Sequence, residues 1–103
     1  MKIIEKLSEN IEEEIEDSKK YIKMALHNKT EHPELSAVFY ELSVAELGHM
    51  EILHKQVTQL INKYKAEHGE PPAAMLAVYN FLHNKQIDKV AEIKMLQEQY
   101  KKN

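Results

Sequence analysis

The chain has 103 residues and a mass of 12.1 kDa, enough for one small domain covering residues 1–103. Only two Gly and three Pro leave few turns, which argues against a many-stranded sheet. The absence of Cys excludes disulfide bonds, thiolate metal sites and a cysteine nucleophile. The net charge of −3 and the absence of Arg among the fourteen basic residues argue against a protein that binds nucleic acid.

The first predicted helix covers about residues 3–27. Apolar side chains recur there at intervals of three or four residues, as on one face of an α-helix. Glu14 lies in the middle of one apolar stripe, between Ile11 and Ser18. A charged group on a buried face is destabilising unless it has a partner, so Glu14 is the first candidate for a functional residue. Glu12 and Glu13 instead lie on Lys-containing faces, which are typical of a solvated surface.

The second predicted helix covers about residues 33–65 and begins at Pro33, whose fixed φ suits a first helical turn. Glu46 and His49 interrupt its apolar stripe one turn apart. A carboxylate and an imidazole at this spacing can bind one cation or two neighbouring cations, and Glu-x-x-His occurs in dimetal sites of helical bundles. A second copy, Glu51-x-x-His54, points roughly 140° away, at 100° of rotation per residue.

The third predicted helix covers about residues 73–100, after a strong stop at Gly69, Pro71 and Pro72. His83 lies in its apolar stripe. We expect a core histidine bonded to a backbone or carboxylate group, with a metal or a partner chain as the alternative partner. We expect His54 to be an interface histidine, and a second metal site is the alternative. The predicted fold is all-α: an antiparallel hairpin of the first two helices plus a third helix, with apolar surface left over for a partner chain.

The hairpin predicts that Glu14 and Glu46 meet near mid-helix. Both lie about 16 residues from the centre of the loop near residue 30, and residues equidistant from the turn of an antiparallel hairpin face each other. We therefore predict Glu14, Glu46 and His49 as metal ligands. The alternative is a buried hydrogen-bonded cluster, or a Lys-paired helix interface, without a metal.

Three segments carry a family resemblance: Glu13-Glu14-Ile15-Glu16, the helix start His32-Pro33-Glu34-Leu35, and Glu46-Leu47-Gly48-His49. In order and spacing they resemble the encapsulated-ferritin branch of the ferritin-like superfamily, over about residues 10–66. The resemblance implies half a ferritin. Two chains would pair into a four-helix bundle, with a di-iron ferroxidase centre between them, and dimers could close into a ring.

The resemblance assigns Glu14, Glu46 and His49 as ligands and catalytic residues of that centre. It also implies that Glu13 and Glu16 guide ions at the entrance. Tyr21 stands in for the aromatic residue near the family's site. We consider it as a hydrogen-bond donor to the ligands, and a core residue is the alternative, since a Tyr on an apolar stripe more often packs in the core. The expected cofactor is iron, although zinc, manganese or calcium could occupy the same oxygen and nitrogen ligands in a crystal.

The expected function is oxidation of Fe(II) to Fe(III) for iron storage or detoxification, with a second copy of the chain as partner. A rubrerythrin-like peroxide reductase is one alternative, which would need an outside electron donor because the chain has no Cys. A non-enzymatic helical oligomerisation module with a structural metal is another. Without a signal peptide or a long apolar run, we expect a cytoplasmic protein with no membrane partner. An encapsulin shell stays open as a partner, but no docking tail is recognisable.

Overall fold

The computed structural model describes residues 2–102 and contains three helices and, within that range, no strand. They are α1 (Lys2–Asn28), α2 (Pro33–His68) and α3 (Ala73–Lys102). The predicted all-α class with three helices is confirmed, while Met1 and Asn103 of the predicted domain lie outside the described residues. None of the three helices combines the length and the apolar character that crossing a membrane requires.

The helix ends follow from local chemistry. At the end of α1 the Asn28 side-chain amide donates to the Met24 carbonyl at 2.8 Å, and the His32 N–H donates to the Asn28 carbonyl at 2.9 Å, which satisfies a carbonyl that the helix leaves free. Helix α2 continues to His68, beyond the predicted end at Lys65. It ends because Gly69 takes a φ of 79°, a conformation that favours glycine, and donates its N–H to the Lys65 carbonyl at 2.9 Å.

The three helices run up, down and up. Helices α1 and α2 form the antiparallel hairpin, and α3 returns parallel to α1. Gln86 of α3 donates to Ser8 near the start of α1 at 3.2 Å, and Glu92 lies 3.3 Å from Lys19 farther along both helices. The Cα atoms span 56 × 18 × 17 Å, so the three helices form one long and narrow bundle.

The core is a narrow seam centred on α1. Ile11, Ile15 and Ile22 of α1 are fully or almost fully buried, and α3 contributes Ile93. The radius of gyration is 16.5 Å, against about 13 Å for a compact domain of this length. So elongated a chain cannot bury all its apolar side chains alone. Those that stay exposed include Leu35, Val38, Leu42, Ile52, Val78 and Phe81.

A serine clasp, formed by Ser18 of α1 and Ser43 of α2, joins the two helices of the hairpin at mid-length. Each hydroxyl donates to the main-chain carbonyl of the other residue, at 2.7 and 2.8 Å, and both side chains are fully buried. Gln97 of α3 donates its amide to the Ser43 hydroxyl at 3.1 Å. The clasp therefore satisfies buried polar groups while it connects all three helices.

Replacing Ser43 by Ala should destabilise the fold. The variant removes the acceptor of the Gln97 amide and leaves the Ser18 carbonyl with only its helix hydrogen bond, and a buried unsatisfied group costs about 1–3 kcal/mol. Thr30→Ala, at an exposed residue of the α1–α2 loop, is the control and should change the free energy of unfolding by less than about 0.5 kcal/mol. Urea unfolding at fixed protein concentration measures both. Equal stabilities would show that the clasp contributes nothing.

Candidate metal centre

The hairpin brings together the three side chains that the sequence singled out. Glu14 projects from α1, and Glu46 and His49 project from adjacent turns of α2. Helix α3 contacts other faces of the hairpin, through residues such as Ser8, Lys19 and Ser43. The group therefore lies on the side that α3 leaves uncovered. The prediction that Glu14 and Glu46 meet at the same height agrees with the structure.

The distances within the group suit one small cation. The Nδ1 atom of His49 lies 3.5 Å from Oε2 of Glu14 and 3.9 Å from Oε2 of Glu46. One candidate ligand atom from each residue lies within 4.8 Å of the other two, and among residues 2–102 no other group of three such side chains meets this condition. Ligands on opposite sides of an ion with bonds of about 2.1 Å are about 4.2 Å apart, so small side-chain rotations would enclose an ion.

The two carboxylates strain each other in the absence of a cation. Oε2 of Glu14 is closed off from solvent and has no hydrogen-bond partner when both groups are ionised. Hydrogen bonding to the Glu14 carboxyl, followed by burial and by the charge of Glu14, raises the pKa of Glu46, while the charge of His49 partly opposes this. Either a proton on Glu46 or a bound cation would relieve this electrostatic conflict.

The predicted accessory residues are less directly placed. Tyr21 lies two turns from Glu14 and stacks on Phe39, with 6.1 Å between ring centroids. Within residues 2–102 it has no hydrogen bond to the three candidate ligands, so its role stays a prediction. Glu13 is exposed. Glu16 accepts a hydrogen bond from Lys89 at 3.0 Å, which lowers the pKa of Glu16, and an approaching ion would compete with that lysine.

The sequence missed a second meeting of polar groups. The expected backbone or carboxylate partner of His83 is wrong, because its partner in the structure is His54 of α2, with 3.1 Å between the two ring nitrogens. The second Glu-x-x-His element, Glu51 to His54, was the available signal. The sequence did not identify His83 as the partner of this element, because no pattern in it predicts how α3 is rotated relative to α2.

Comparison of the chain with protein-family models, with curated proteins and with solved structures finds no match. Any function assigned to the chain therefore depends on the geometry of Glu14, Glu46 and His49 and on the motifs that contain them. That geometry offers two carboxylates and one imidazole, accessible to solvent through His49, whose side chain is 58% exposed.

Replacing Glu46 by Gln should stabilise the metal-free protein. The substitution removes the repulsion between two carboxylates and provides an amide that can donate to the unpartnered Glu14 oxygen. We expect the melting temperature at neutral pH, with a chelator present and at fixed protein concentration, to rise by a few degrees. The matched control is Glu41→Gln, an exposed carboxylate of α2, which should leave it unchanged. A melting temperature of Glu46→Gln below that of the control would show that repulsion between the Glu14 and Glu46 carboxylates does not destabilise the metal-free protein.

Proposed function

We propose that the protein is a ferritin-like ferroxidase, which oxidises Fe(II) to Fe(III) at a di-iron centre shared between two chains. The observation that carries the proposal is the convergence of Glu14, Glu46 and His49 around an unpartnered, buried carboxylate oxygen. A buried oxygen without a hydrogen-bond partner destabilises the folded state unless a ligand binds to it. A cation supplies what the surrounding residues lack.

The chemistry of the three side chains suits iron. Oxygen and imidazole ligands bind Fe(II) and leave open positions for an oxidant, whereas the chain has no thiolate that would select a softer metal. Glu14 and Glu46 would hold the iron through their carboxylates, and His49 through Nδ1, the ring nitrogen that faces them. Their negative charge favours the ferric over the ferrous state, because the higher charge is stabilised more strongly.

The reaction treats iron as the substrate and needs an external oxidant. Two ferrous ions each lose one electron. The two electrons and two protons from solvent reduce dioxygen to hydrogen peroxide, or reduce hydrogen peroxide to two water molecules. The role of the protein is to hold the two ions together at fixed positions, so that both electrons are delivered to one oxidant molecule.

One chain supplies only half of a usual dimetal site, which in helical bundles takes four carboxylates and two histidines. The surface around the group favours completion by a second copy. Leu35, Val38 and Leu42 share one face of α2 with Glu46 and His49, and they are 47, 49 and 38% exposed. Docking this face against its own copy would bury the apolar side chains and bring two sets of ligands together, completing a four-helix bundle of two hairpins.

Iron oxidation should depend on the ligands. We expect Glu46→Ala and His49→Ala to slow the appearance of ferric absorbance, after Fe(II) is added to the metal-free protein in air, by at least about tenfold. Loss of even an outer-shell partner costs about 10- to 100-fold at metal sites, and these are direct ligands. Stopped-flow absorbance measures the initial rate.

The matched controls for this assay are Glu41→Ala and His68→Ala, which remove an exposed carboxylate and an exposed imidazole of the same helix. Both should react like the wild-type protein. If the ligand variants and the controls oxidise iron equally fast, while all keep their helical circular dichroism, the ferroxidase proposal is wrong.

The proposed pairing predicts the mass in solution. With Fe(II) present, light scattering at micromolar concentration should give at least twice the 12.1 kDa of one chain. Leu42→Lys should lower the mass to that of a monomer, because it places a charge at the centre of the apolar contact. Residue 42 is already partly exposed in the single chain, so the substitution should leave the helices intact.

Val44→Lys is the control for the pairing experiment, because Val44 is 45% exposed and, two residues from both Leu42 and Glu46, lies on the opposite face of α2. This variant should keep at least the dimer. If the wild-type protein stays monomeric with iron present, the proposal of a site shared between two chains is wrong, even if one chain binds iron by itself.

A further inference from the structure

A pair of histidines joins α2 to α3 on a different side of α2 from Glu46 and His49. The His54 Nε2 and His83 Nδ1 atoms are 3.1 Å apart, and the two rings stack with their centroids 4.7 Å apart. Tyr79 also stacks on His83, with 5.7 Å between ring centroids. The pair lies in an open groove between the two helices, which Met50, Glu51, Val90 and Lys94 also line.

Two imidazoles so close cannot both carry a proton on the facing nitrogens. Burial, and then the charge that His83 would carry, lower the pKa of His54, so the neutral form of that ring is favoured. A neutral imidazole has one unprotonated nitrogen, which is the form that binds a metal ion. When each ring carries its proton on the outer nitrogen, two lone pairs occupy the space between them.

The spacing of the facing nitrogens fits joint coordination. Two ligands of a tetrahedral ion with metal–nitrogen bonds of about 2.0–2.1 Å lie about 3.3 Å apart, close to the 3.1 Å observed. We propose that His54 and His83, with Glu51, bind a divalent transition-metal ion of the zinc class between α2 and α3. This site is separate from Glu14, Glu46 and His49 and does not depend on the proposed ferroxidase function.

Glu51 becomes the third ligand after a side-chain rotation, because in the structure Glu51, His54 and His83 do not yet form a close group. It lies three residues before His54, so the two side chains are neighbours on one face of α2, and both line the groove. Its side chain is exposed and free to rotate toward the imidazole nitrogens. Its negative charge offsets part of the charge of a divalent ion, and water from the open groove would complete the coordination.

The consequence of such a site is a cross-link. Helix α3 packs mainly along α1. Its side-chain contacts with α2 include Gln97 to Ser43 and Tyr100 to Tyr40 at one end, and His83 to His54 toward the other. An ion bound by both histidines would fix this second end of α3. Because the ligands from α2 and α3 meet only in the folded chain, the ion would stabilise the folded state by mass action.

The experiment starts from the double variant Glu46→Ala/His49→Ala, which removes the first group. Titration calorimetry with Zn²⁺, after chelator treatment, should show one ion bound per chain, and Zn²⁺ should raise the melting temperature. Adding either His54→Gln or His83→Gln should weaken binding at least tenfold and abolish the rise in melting temperature. Adding His68→Gln, at an exposed histidine, should change neither measurement.

Co²⁺ provides a second measurement on the same proteins. Its visible absorption should show a tetrahedral site in the double variant and lose that band when His83 is replaced. Glu51→Gln keeps both histidines and alters only an exposed side chain, so it tests the site even if a histidine variant fails to fold. It should also weaken Zn²⁺ binding.

Two results would overturn the site. In the first, the double variant binds no Zn²⁺, which would assign all metal binding to Glu14, Glu46 and His49. In the second, Zn²⁺ affinity is the same with and without His83 and Glu51, which would leave the histidine pair as a packing contact only. Neither result affects iron oxidation by the first group, so the two proposals succeed or fail separately.

Discussion

The close approach of α1 and α2 at the serine clasp is the constraint on which the rest of the molecule depends. Because each serine donates to the main chain of the opposite helix, the two backbones are held at a fixed height as well as a fixed distance. Glu14 lies one turn before Ser18, and Glu46 one turn after Ser43. In an antiparallel pair those steps lead in the same direction, so fixing the serines brings the two carboxylates together.

Placing the carboxylates of Glu14 and Glu46 side by side lowers the stability of the fold, which indicates that the pair has a function. A hairpin that only needed to fold would put an apolar pair or a Lys–Glu pair at that height, as α1 does with α3 through Lys19 and Glu92. Two ionised carboxylates with an unpartnered oxygen instead destabilise the metal-free chain unless Glu46 takes up a proton. Proteins tolerate such local conflicts mainly where a ligand resolves them, which is the physical reason to interpret the group as a binding site rather than as part of the core.

The sequence predicted the height at which Glu14 and Glu46 meet, because the loop position sets it. The stripe containing Glu46 and His49 lies at the edge of the contact, since the buried side of α2 carries Leu47, Met50 and Val57. Helix α3 was different. Its buried side includes Gln86 and Gln97 as well as Ile93, so apolar periodicity does not mark which face turns inward. Without that rotation, neither the Gln97–Ser43 bond nor the pairing of His83 with His54 could be predicted.

The position of α3 also divides the hairpin into two unlike sides. One side is covered by α3 and joined to it through polar bonds and the histidine pair, all of which one chain completes by itself. The other keeps the two carboxylates, His49 and the apolar face of Leu35, Val38 and Leu42 in contact with solvent. A metal site on the covered side needs only a folded chain, whereas a dimetal site on the open side needs a second copy. Iron binding would therefore strengthen with protein concentration, and binding by the histidine pair would not, because only the first equilibrium includes association of two chains.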